Sequence, residues 1–276
     1  VITRTARRTG RPIQVAALGA AALLALSACS SSGSDSSSGV SDSASASAPG
    51  RVSGAVTVFA AASLKESFTT LGEEFEKAHP GTKVTFSFGG SDSLAASITG
   101  GAPADVFASA SPKTMAIVTD AGDASGAPAT FARNQLEIAT LPGNPDKVSS
   151  LKDLTGSGLK VVLCDRTVPC GAAAQKALDA GGLKLTPVSY EQDVKAALTK
   201  VELKEADAAV VYKTDVHAAG DKVEGVEFPE SADAVNDYPI VRLKGARNAG
   251  AARAFIALVR SAEGQKVLTE AGFLKP

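Results

Sequence analysis

The chain has 276 residues, 44% of them hydrophobic, which is material for one large lobe or two modest ones. Its formal charge of −1 hides an asymmetry: residues 1–28 hold four arginines and no acid, and the rest carries 24 basic against 29 acidic residues. An acidic body excludes a nucleic-acid partner, which calls for a basic field, and two histidines without a His/Cys cluster at ligand spacing exclude a zinc site.

Residues 1–29 read as an export signal. Arg4, Arg7, Arg8 and Arg11 form a basic start, and Ile13–Leu26 is an apolar run of 14 residues, too short for a comfortable membrane span. The run ends Leu26-Ser27-Ala28-Cys29, which resembles a bacterial lipobox, with cleavage before Cys29 and lipidation of its sulfur. Ser30–Gly50 has eleven serines in 21 residues and cannot build a core. It reads as a flexible tether reaching about 25 Å, so the expected protein is anchored to a membrane and not embedded in one.

The folded part begins near Val52. Val56-Thr57-Val58-Phe59-Ala60 predicts a buried strand that runs through small residues into a helix at Ser63. Leu64, Phe68, Leu71, Phe75 and Ala78 repeat at helical period. Ser63 with Glu66 three residues on forms a capping-box pattern, making Ser63 the expected N-cap. The next unit repeats the device: Val84–Phe88 as a strand, Gly89-Gly90-Ser91 as the exit, then a helix with Leu94 and Ile98 inward. Two such units place Ser63 and Ser91 at one edge of a parallel sheet, where open α/β sheets bind ligands. First-turn N–H groups and the helix dipole make that edge favourable to anions. Asp92 fits the dipole but would repel an anion unless it points away.

Val106–Ser109 predicts a third strand, and Ser111-Pro112 a helix start. Asp105 has no partner His or Lys in its motif and reads as a turn or cap residue. A Gly/Ala/Pro-rich loop runs to Thr130, and Leu136–Ala139 starts a new strand. Beyond it come a strand at Val161–Cys164, a helix opening at Pro169-Cys170, a helix from Asp193-Val194, and a strand Ala208–Tyr212 ending in a phenol. Tyr238–Leu243 is a late strand, followed by amphipathic helical sequence around Phe255, Leu258 and Val259. Cys164 and Cys170 flank a turn in an exported chain, which favours a disulfide; with Cys29 lipidated, no odd thiol is left.

Val58-Phe59-Ala60-Ala61-Ala62-Ser63-Leu64, Gly101-Ala102-Pro103-Ala104-Asp105-Val106-Phe107 and Val210-Val211-Tyr212 resemble the molybdate-binding proteins of bacterial ABC importers. Ser261–Gln265 with Gly272-Phe273 is similar to the tail of many solute-binding proteins. The resemblance runs from about Gly54 to the end. It implies an α/β protein of two lobes, the type II periplasmic-binding-protein fold, with a hinge of two crossing strands. The implied first lobe is 52–133 with 244–276 and the second is 134–243, preceded by a signal at 1–28 and a tether at 29–51. It also implies an anion site of Ser63, Ser91, the amides of Cys170 and Val194, and the Tyr212 hydroxyl. Cys170 departs from the small apolar residue expected there, but only its backbone N–H is needed.

On that reading the protein captures molybdate, and tungstate of nearly the same size, and passes it to an ABC permease and its ATPase. It would act as a lipid-anchored monomer outside the cytoplasm, without a cofactor and without direct protein ligands to the metal. Molybdate is an unprotonated dianion whose oxygens only accept hydrogen bonds, so a site of donors suits it. Phosphate keeps a proton and wants an acceptor, for which Asp92 is the nearby candidate. Sulfate takes the same donors and is the alternative ligand. An enzyme is not expected, because the chain has no Gly-x-Ser-x-Gly elbow and no base beside Ser63.

Overall fold

The computed structural model describes residues 52–156 and 158–276. The signal, the Cys29 lipidation site and the tether lie outside the described residues.

Two five-stranded sheets, each with helices packed on it, make up the folded part. The first begins with β1 (Gly54–Ala61), α1 (Lys65–Ala78), β2 (Thr82–Gly89), α2 (Ser91–Thr99), β3 (Val106–Ala108), α3 (Pro112–Asp120) and β4 (Ala129–Asn134). The chain then enters the second through β5 (Leu136–Thr140), β6 (Val161–Cys164), α4 (Pro169–Ala180), β7 (Ser189–Glu191), α5 (Val194–Glu202), β8 (Ala208–Tyr212), α6 (Lys213–Ala219) and β9 (Glu224–Val226). It returns with β10 (Asn236–Arg242), α7 (Ala249–Arg260) and α8 (Ala262–Glu270).

Strand order is β2-β1-β3-β10-β4 in one sheet and β7-β6-β8-β5-β9 in the other. Each keeps a parallel core, β2-β1-β3 and β7-β6-β8, flanked by antiparallel strands. The strand expected as buried alternates in β1: Val56, Val58 and Ala60 are fully buried, while Thr57 and Phe59 are half-buried. Leu64, Phe68, Leu71 and Phe75 bury the α1 face against Phe86, Phe131 and Phe255, whose rings meet edge-on or tilted. The face stops at Phe75, since Ala78 in the last turn is exposed.

Three expectations change. β10 hydrogen-bonds to β3 and β4, so residues 236–242 belong to the first sheet and not to a second lobe running to 243. The return crossing therefore lies before Asn236. The outward crossing is one residue, Gln135, between β4 and β5. The Gly/Ala/Pro-rich stretch ends in a strand, β4, which takes its hydrogen bonds from β10. Ser63 does not cap α1: it sits in a 3-10 turn at Ala62–Leu64 ahead of the helix, without a side-chain capping bond. Asp105, expected as a structural residue, is buried and accepts the N–H groups of Thr57 (2.7 Å) and Asn248 (3.2 Å), tying β1 to the start of α7.

Candidate functional site

The parallel strands of both sheets end around one cavity. β1 runs out at Ala61-Ala62-Ser63, β2 at Gly89-Gly90-Ser91, and the turn after β3 supplies Ala110. From the second sheet come Val168-Pro169-Cys170 at the start of α4, Asp193-Val194 at the start of α5, and Tyr212 ahead of α6. All five expected site residues, Ser63, Ser91, Cys170, Val194 and Tyr212, line it, and each is at most 4% exposed. The space open to the centre of a water-sized sphere is about 20 Å³. That admits one small compact group and no organic ligand of ordinary size.

The local sequence explains the geometry. Pro169 opens α4 at the position where a missing N–H does no harm, so the Cys170 N–H lies in the first turn without an intrahelical partner. Gly171 follows because a Cβ there would sit 1.9 Å from the Asp165 carbonyl oxygen, and the turn could not pack so tightly with a side chain. The Cys164–Cys170 disulfide joins the end of β6 to this turn, with the Cα atoms 5.8 Å apart. Asp193 caps α5 by accepting the Ala196 N–H at 2.9 Å, which turns its carboxylate toward its own helix. Gly90 touches the opposite wall: a Cβ would meet the Gln192 carbonyl oxygen at 2.6 Å.

Hydroxyls of Ser63, Ser91 and Tyr212 complete the polar lining. Ser91 Oγ accepts the Ala110 N–H at 3.0 Å. Ser63 Oγ lies 2.8 Å from the Tyr238 hydroxyl, and Tyr212 Oη accepts from Asn236 Nδ2 at 2.6 Å. Burial pushes the Tyr212 phenol well above its ordinary range and raises Tyr238 likewise, so both stay protonated. The lining residues include no Lys, Arg or His. Backbone amides, hydroxyls and the first turns of several helices converge on a space with no formal positive charge, a lining that suits a small anion able only to accept.

A family model described as bacterial extracellular solute-binding protein matches residues 56–274. The chain belongs to that family. Several relatives bear the name of molybdate-binding proteins. The molybdate-binding protein ModA of Mycobacterium tuberculosis is 45% identical over 238 residues, covering 86% of this chain and 91% of its own. Among solved structures, the substrate-binding domain of a putative molybdenum ABC transporter from Clostridium difficile is 31% identical, with a TM-score of 0.61 over 81% of this chain and all of that one. The periplasmic molybdate-binding protein of Azotobacter vinelandii shares the fold at 23% identity and a TM-score of 0.70, covering 80% and 99%.

In this solute-binding protein Asp92 stays out of the cavity lining. One of its oxygens is buried without a partner among the described residues, close to the Cα of Gly90. Sequence reading missed Tyr238, Asn134 and Asn236 behind the hydroxyls. It also missed Lys195 in the first turn of α5, which pairs with Glu66 of α1 at 2.9 Å and with Asp215 of α6 at 3.2 Å. Asp215 is fully buried and accepts the Tyr212 N–H at 3.2 Å. Burial raises its carboxyl to about 6, against the pull of Lys195. Only Glu66, as the fourth residue of the apparent capping box, carried any sequence signal, and that signal pointed elsewhere. No helix among the described residues is long and apolar enough to cross a membrane.

Proposed function

We propose that this protein is the extracytoplasmic receptor of an ABC importer and that it captures molybdate, and tungstate equally, in the cavity between its two sheets. Ser63 and Ser91 donate from one side, and the Cys170 and Val194 amides with the Tyr212 hydroxyl donate from the other. The observation that carries the reading is the small cavity lined by hydroxyls and helix first turns at the ends of the parallel strands. Identity of 45% to a molybdate-binding protein supports the choice of oxyanion. The receptor acts as a monomer held to the membrane by a lipid on Cys29 and hands the anion to the permease; it catalyses no reaction.

A thermal-shift screen of the soluble part, residues 52–276, tests it. Molybdate at about 1,000 times its Kd stabilises by about 4 kcal/mol, while sulfate and phosphate leave the midpoint in place. Ser63→Ala and Ser91→Ala each weaken binding about tenfold or more, the loss of one hydrogen bond to a charged acceptor. A shift with sulfate and none with molybdate refutes the ligand, and no shift with any oxyanion refutes the receptor.

A further inference from the structure

Each of the two strands next to the crossings offers an asparagine to the site. Asn134 ends β4, Asn236 starts β10, and the two are directly paired across the ladder. Their amide orientations are fixed by neighbours that can act in only one way. The Gln135 N–H can only donate, and it lies 3.0 Å from Asn134 Oδ1, so the Asn134 NH₂ faces the other side. There it donates to Thr214 Oγ1 at 2.8 Å and to the Tyr238 hydroxyl at 3.3 Å. The Pro169 carbonyl can only accept, and it lies 3.4 Å from Asn236 Nδ2, so this NH₂ also donates to Tyr212 Oη.

The hydroxyl hydrogens follow. A phenol has one hydrogen. Tyr238 accepts from Asn134 and lies 2.8 Å from Ser63 Oγ, a pair in which either hydroxyl can donate; with Tyr238 giving its hydrogen, Ser63 points its own into the cavity. Tyr212, already accepting from Asn236, keeps its hydrogen to give, with the cavity and the Tyr238 hydroxyl both beside it. Such chains polarise one another in the donating direction. Ser91 reaches the same state without an asparagine, because its oxygen takes the Ala110 N–H.

We infer that Asn134 and Asn236 are positioning residues that lock the Tyr238–Ser63 pair and Tyr212 into a donors-only arrangement, which selects a fully deprotonated oxyanion over one that carries a proton. The inference rests on the oxyanion reading of the cavity. Hydrogen phosphate at pH 8 bears the same two charges as molybdate, but one of its oxygens needs an acceptor, and each lining hydroxyl is turned the wrong way. The asparagines also reach across the crossings, Asn134 to Thr214 and Asn236 to Pro169 and Tyr212. The donor set is thus oriented where the two sheets meet.

The test is calorimetric titration at pH 8 with molybdate, and with hydrogen phosphate by direct and competitive titration. Asn236→Asp has no hydrogen to give, so Tyr212 must donate to it and show its lone pairs to the ligand. Gln192→Glu, at an exposed position just before α5, controls for added charge, which weakens two equally charged dianions alike. The expected result is that preference for molybdate over hydrogen phosphate falls about tenfold or more in Asn236→Asp and holds in Gln192→Glu. A second route uses Tyr238→Phe, which keeps the ring. Ser63→Ala weakens molybdate binding about tenfold or more in the parent and by less than about threefold in the Tyr238→Phe background. Ligand-free melting verifies that each variant folds. An unchanged preference in Asn236→Asp, or costs at Ser63 and Tyr238 that multiply independently, overturns the inference while leaving the receptor standing. A parent protein that binds no oxyanion overturns both.

Discussion

Lys195→Met separates a buried charge from its partner, and Asp215 makes the outcome depend on pH. The carboxylate has no exposed surface, and Lys195 Nζ at 3.2 Å is the cation beside it. Its folded pKa, about 6, lies above the ordinary value of 3.8 because burial disfavours the charged form. For a raised acid, stability is greatest below 3.8 and falls as pH rises toward 6, by about 3 kcal/mol across that window. Above pH 6 the parent loses nothing further through this group, because Asp215 is then ionised in both states. Lys195 itself is pulled down by burial, but Asp215 and Glu66 outweigh that and raise it. Its contribution is complete below the usual lysine range and is lost only at more alkaline pH.

Without Lys195 the Asp215 carboxyl rises further, and the loss continues through neutral pH. The expected extra destabilisation is close to zero at pH 5, about 1 kcal/mol at pH 7 and about 3 kcal/mol at pH 8. Urea unfolding of the ligand-free protein followed by circular dichroism at each pH measures it, with m-values compared to keep the two-state treatment valid. Adding Asp215→Asn should flatten the dependence, because an amide does not titrate and its oxygen can still accept the Tyr212 N–H. A penalty constant from pH 5 to 8 refutes the assignment of Asp215 as the group that Lys195 holds ionised.

Two further outcomes follow from the walls of the cavity. Replacing Cys164 and Cys170 together with Ser opens the short loop they close, lowering stability by about 2 kcal/mol and the melting midpoint by about 4–8 °C for a body of this size; an unchanged midpoint refutes the constraint. Gly90→Ala places a methyl 2.6 Å from the Gln192 carbonyl oxygen and 2.8 Å from an Asp92 oxygen. The backbone contact lies across the cavity, so molybdate affinity should fall about tenfold or more while ligand-free stability changes by under about 1 kcal/mol. Equal losses in both place the strain inside one sheet instead.

What could be read from sequence was whatever lies close along the chain. β1 and β2 declare themselves by apolar strand sequence and small-residue exits, α1 by its stripe of Leu64, Phe68, Leu71 and Phe75, and the starts of α4 and α5 by Pro169 and Asp193. The pairing of Cys164 with Cys170 was equally local. Long-range partners were invisible. β4 exists because β10, about a hundred residues later, completes its ladder. Ser63 and Glu66 mimicked a capping box, yet the serine hydroxyl goes to Tyr238 and the carboxylate to Lys195. Neither partner follows from a spacing rule, because each is delivered by a different strand or helix. The asparagines behind the hydroxyls could be found only once the crossings were located.

The cavity lining has no cation, and its proposed donors are divided between two bodies. Ser63 and Ser91 ride on the first sheet, while Cys170, Val194 and Tyr212 ride on the second. On the proposed reading a doubly charged guest would be held by many partial charges instead of one strong counter-charge, and each body would own only a fraction of them. Moving the bodies apart withdraws the attraction in instalments, with no ion pair left to break at the end. On that reading retention and release would be two readings of a single coordinate, the separation of the sheets.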